Sequence, residues 1–109
     1  MNKQSIIERL LALPKEIAAA EEAVISANKA VQDAKNALQG HEYVLLTSGA
    51  IDGKNAEIRS AQLRSFTSEQ HEAVTQAEYN LVRIKNHLAL LYNEFRALQT
   101  VADLLKGAA

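Results

Sequence analysis

At 109 residues, with 5% aromatic residues and a single Pro, the chain has the size of one domain and the composition of one with a thin core. Twelve basic and thirteen acidic residues leave a net charge of −1, so nothing draws the whole chain toward nucleic acid or an anionic membrane. The absence of Cys excludes disulfide and thiolate chemistry, and no apolar run approaches the roughly 20 residues of a membrane span.

The N-terminal stretch MNKQSIIERLLALPKE lacks the unbroken apolar core of a signal peptide, because Glu8 and Arg9 interrupt it. A soluble, cytoplasmic protein is the expectation. Pro14 removes a backbone donor, which predicts a kink in the first helix or a new start near Leu13, the second leaving residues 2–12 as a separate short helix.

From residue 6 onward a stripe begins. Ile6, Leu10, Leu13, Ile17, Ala20 and Val24 open it, and it continues through Ala27, Val31, Ala34 and Leu38 at alternating spacings of three and four. Sustained spacing of this kind is the seam of a coiled coil. Gly40 is unfavourable inside a helix, yet His41 and Leu45 keep the register, so the first helix is predicted over about residues 4–46.

The stretch TSGAIDGKNAEIR then interrupts the pattern with Gly49, Asp52 and Gly53. These turn formers predict a bend over residues 47–54. Asp52 or Asn55 can cap the following helix, and Gly53 permits tight or left-handed backbone. Lys54 would sit at a helix N-terminus, followed on the next turns by Arg59 and Arg64, forming a small cationic tip suited to a phosphate or an acidic surface.

The second helix is predicted over about residues 55–106. SFTSEQ carries a capping-box pattern, Thr67 with Gln70, where the helix can kink. A second stripe follows the same alternation, from Val74, Ala77, Leu81, Ile84 and Leu88 through Leu91, Phe95, Leu98, Ala102 and Leu105. The two stripes match when the chain folds back, with Leu10 opposite Leu91, Leu13 opposite Leu88 and Ile17 opposite Ile84. The predicted fold is therefore all-α: one domain, an antiparallel two-helix hairpin of coiled-coil type. Toward the bend the seam turns polar, with Thr67 and Gln70 taking seam positions.

Toward the termini, apolar residues exceed what one seam needs. Ile7, Leu11, Leu90, Tyr92, Val101 and Leu104 lie off the stripes. They point to a helical-bundle oligomer, or to helix 2–12 folding back over Leu90 and Leu104.

Chemistry-bearing patterns are sparse. His41, His71 and His87 lack the partners and spacing of a metal site, and no phosphate loop or nucleophile motif appears. The reading is of a non-enzymatic protein without catalytic residues, metal or cofactor. Homo-oligomerisation and an unidentified protein partner at the bend are expected, with nucleic acid the less favoured partner and no membrane role.

Through GAIDGKNAEIRSAQLR and AEYNLVRIKNHLALLYNEFRAL the chain resembles small helical proteins of bacteriophages and prophages. Those proteins share an Asp-Gly-Lys-Asn-x-Glu-x-Arg bend between alanine-rich helices. The resemblance implies a phage origin and residence in the host cytoplasm, and makes Asp52, Gly53, Lys54, Asn55, Glu57 and Arg59 the residues of interest. It implies no activity beyond an interaction role or, alternatively, an accessory role in phage DNA metabolism.

Overall fold

A computed structural model describes residues 2–108, which form three helices and no strand. They are α1 (Lys3–Thr47), α2 (Ala56–Phe66) and α3 (Ser68–Ala108), with α1 and α3 packing against each other. The arrangement is hairpin-like. No helix among the described residues is long and apolar enough to cross a membrane.

Asn2 starts α1. Its side chain accepts from the Ser5 amide at 2.8 Å, which satisfies one of the donors that a helix start leaves open. The helix then runs through Pro14 without interruption. Of the alternatives open at Pro14, the separate helix over residues 2–12 that could fold back is not the one formed. An interior Pro costs about 3 kcal/mol. Here Ile6, Leu13 and Ile17, all buried, anchor the seam on both sides of it and hold the helix together. At the far end Ser48 donates to the Val44 carbonyl, and Gly49 adopts φ 82°, the left-handed conformation that commonly terminates helices.

The predicted second helix is two helices. Thr67 caps α2, with its amide and its hydroxyl both donating to the Leu63 carbonyl, at 3.1 and 2.7 Å. The side chain thus bonds backward instead of accepting from the turn ahead, so the expected capping box with Gln70 is absent. The Gln70 Oε1 atom is buried without a hydrogen-bond partner. His71 donates to the Thr67 carbonyl at 2.9 Å, so helical bonding resumes within one residue.

The chain divides into two compact units, Met1–Ser26 with Val82–Ala109, and Ala27–Leu81. In the terminal unit Ile6, Leu13, Ile17, Ala20, Leu91 and Leu98 form one buried cluster, with Leu10, Leu88, Tyr92 and Phe95 packed against it. All are seam residues except Tyr92. In the bend unit only Ala27 and Thr67 are buried, and α2 buries nothing. The second stripe departs from expectation only at Leu105, which is exposed.

At the terminal end Ile6 of α1 and Ala102 of α3, both seam residues, line one cleft.

Candidate functional site

The bend folds onto the first two turns of α2. Asn55 is the N-cap, with extended backbone (φ −138°, ψ 172°), and its Oδ1 accepts from the Ile58 amide at 2.9 Å. Of the two candidate caps, Asn55 serves and Asp52 does not. Asp52 is instead tied to Gln62. The Gln62 Oε1 accepts from the Asp52 and Gly53 amides at 3.2 and 2.8 Å, while its Nε2 donates to the Asp52 carboxylate at 2.8 Å. Arg59 closes the loop by donating to the Gly53 carbonyl at 3.2 Å.

Gln62 is the residue that sequence reasoning missed. The signal was available: Asn55, Ile58, Arg59 and Gln62 follow the spacing of one helix face, and that face points at the loop. Of the two roles open to Gly53, tight or left-handed backbone, it takes the first; the left-handed glycine is Gly49. Gly53 is needed for close approach. A β-carbon there would lie 2.6 Å from the Ile58 Cγ2 and 3.0 Å from the Arg59 amide nitrogen.

The expected cationic tip is only partly assembled. Lys54 is exposed next to the loop, and Arg59 reaches the neighbouring Gly53 carbonyl. Arg64, in the last turn of α2, is five residues beyond Arg59, about 140° around the helix. It shares a face with Glu57 instead. The bend unit also exposes Tyr43, Leu46 and Phe66, apolar side chains that the search for charge passed over. The run EYVLLT was the signal for Tyr43 and Leu46, since it carries more apolar residues than one seam uses.

The terminal unit holds the other candidate surface. Arg9 makes a bidentate ion pair with Glu94, at 2.7 and 2.8 Å, and also bonds Glu16. These bonds hold the Arg9 guanidinium charged, with Glu94 contributing most, and pull the Glu94 carboxyl below its ordinary range. Glu21 accepts from the Tyr92 hydroxyl at 3.1 Å, which pushes that hydroxyl's pKa up.

These bonds mark two flanks of the α1–α3 seam, because Arg9 and Glu94 each precede a seam residue while Glu21 and Tyr92 each follow one. Heptad spacing then sorts the off-seam residues. Ile7 and Leu11 belong with Glu21. Leu90, Val101 and Leu104 belong with Glu94. The expected single wide stripe is therefore two patches. Tyr92 is half-buried against the core, whereas Leu11, Leu90 and Leu104 are 75%, 66% and 69% exposed.

Among the described residues no cluster of three or more His, Cys, Asp or Glu is placed to hold a metal ion. A shallow concavity of about 410 Å³ is lined by Arg83, Ile84 and His87. An open cleft of about 290 Å³ lies at the terminal end, lined by Lys3, Ile6, Ile7, Ala102, Leu105 and Lys106. It brings together aliphatic groups and two ammonium groups, with no acid–base pair or nucleophile. No protein-family model, curated protein or solved structure matches the chain. Its functional reading rests on its own geometry.

Proposed function

We propose that this protein is a non-enzymatic coiled-coil interaction module of phage type, an antiparallel hairpin that self-associates through its terminal unit and holds a protein partner at the bend. The observation that carries the reading is the exposure of Leu11, Leu90 and Leu104 on a unit whose seam is already filled. Apolar surface beyond one seam is the mark of helices awaiting further helices. The like-with-like pairing of flank residues, Arg9 with Glu94 and Glu21 with Tyr92, supports the antiparallel setting. At the bend, a loop fixed by Gln62 and bordered by Tyr43 and Leu46 offers a rigid, partly apolar contact.

Sedimentation equilibrium across the micromolar range tests the first half: a dimer or larger species is expected, and a monomer at every concentration rejects it. Replacing residues 51–54 with a capped Gly/Ser/Asp loop tests the second. The variant should keep its oligomeric state and lose proteins that the wild type captures from lysate of infected host cells. Unchanged capture would reduce the bend to a turn.

Nucleic-acid binding is the weaker reading. Phosphate tracking needs several cationic contacts at once, and Arg64 is turned away from Lys54 and Arg59 on α2. A gel shift at low salt, lost on Lys54→Ala, would revive it.

A further inference from the structure

We infer that the terminal unit pairs with a second copy of this chain through the flank marked by Arg9 and Glu94, with Leu90 and Leu104 of each copy seated over the alanine face of the other's α1. This rests on the self-association reading and names its surface and its occupant.

The exposed area is the first argument. A compact monomer of 11.9 kDa is expected to expose about 6,000 Å². This chain exposes 7851 Å². That excess belongs to the whole chain, and a standard interface removes roughly 800 Å² per partner from water; on the chosen flank it includes Leu90 and Leu104, 66% and 69% exposed.

Shape is the second. On the chosen flank α3 presents Leu90, Ala97, Val101 and Leu104, while α1 presents Ala12 and Ala19, both exposed. Large residues on one helix and small ones on the other are complementary under a two-fold axis, in which each contact occurs twice. Helix α1 of one copy then faces α3 of the other, which requires the axis to run along the helices. Ile6 and Ala102 share the terminal cleft, so counting equally along both helices brings Ala19 level with Ala89, one residue from Leu90.

Charge decides between the flanks. The chosen flank carries Arg9, Glu16 and Glu94, joined in one network, with Arg83, which is also partnered, and His87 nearer the bend. Covering the Arg9–Glu16–Glu94 network buries a compensated cluster. On the opposite flank Lys85 and Arg96 have no ion-pair partner among the described residues. Burying those would leave isolated charges in low dielectric, which is strongly unfavourable.

The test compares full-length variants by sedimentation at a concentration where the wild type is dimeric. Leu90→Glu with Leu104→Glu should halve the mass, and Ile7→Glu with Leu11→Glu should leave it unchanged. The reverse pattern, or equal loss in both variants, overturns the choice of flank while leaving self-association standing. A wild type that is monomeric throughout overturns both. Because the chain has no Cys, Ala19→Cys with Leu90→Cys gives a second readout that does not depend on a charged variant folding. Mild oxidation should produce a covalent dimer that reductant returns to monomer. Exclusively monomeric product would overturn the pairing.

Discussion

The two units hold themselves together in different ways. The terminal unit has a cluster of six buried aliphatic residues, and its polar bonds lie on the flanks of that seam. The bend unit buries only Ala27 and Thr67, and its defining contacts are hydrogen bonds within a loop and the turns that follow it. Apolar burial scales with area and tolerates a shift of register. A bonded loop depends on individual atoms at individual distances. The terminal unit should therefore dominate stability, while the bend unit should be the more sensitive to small changes of shape.

The largest effect expected from this contrast is at Leu13, which is 0% exposed. Leu13→Ala should lower the unfolding free energy by about 2–5 kcal/mol, the range for emptying a closed core site. Leu38→Ala, at a half-buried seam position in the bend unit, should cost clearly less. Urea titration of both variants measures the difference, and equal losses would break the comparison.

Next in size is Gly53→Ala. One added carbon meets the Ile58 side chain and the α2 backbone, so the loop must move, at a cost of about 1–3 kcal/mol. Protection of the Asp52 and Gly53 amides from hydrogen exchange should fall with it, because their bonds to Gln62 would be displaced. Gly40→Ala is the counterpart. Nothing lies within 4 Å of a β-carbon there, so the change should stabilise α1 by about 0.5–1 kcal/mol. A loss at Gly40 would mean that a contact outside the chain requires that glycine.

What was legible in the sequence follows the same division. The seam could be read because three-four spacing is a property of one helix and needs no knowledge of its partner. Spacing alone does not set the register, since a seven-residue repeat satisfies itself again one heptad away. Nor could the two flanks be told apart. Leu90 and Leu11 look alike on a helical repeat until Arg9–Glu94 and Glu21–Tyr92 fix which side each occupies. At Thr67 the residue type suggested a helix start, but the hydroxyl bonds back to Leu63, a choice that local sequence leaves open. In the bend, Asn55 and Gly53 were identifiable as residues of interest. Gln62 was overlooked because it lies two helical turns away from the glycine it binds.

The smallest predicted effect concerns the Arg9–Glu94 pair and acid. Hydrogen bonds from Arg9 are the main cause holding the Glu94 carboxyl below its ordinary value of 4.5, against a smaller opposing effect of burial. A carboxyl whose pKa is depressed on folding contributes stability above its unfolded pKa, and the contribution disappears as pH falls through the folded one. The wild type should thus melt above Glu94→Gln near neutral pH, with the gap closing as pH drops below about 4. Both side chains are about one-third exposed, at 31% and 37%, so water screens the pair and the gap should be a small one. Dimerisation through this flank would cover the pair and weaken that screening. The gap at neutral pH should then be larger for the associated protein than for the Leu90→Glu/Leu104→Glu monomer, when each is compared with its own Glu94→Gln derivative. An identical gap in both would mean that Glu94 stays in water and that the second copy lies elsewhere.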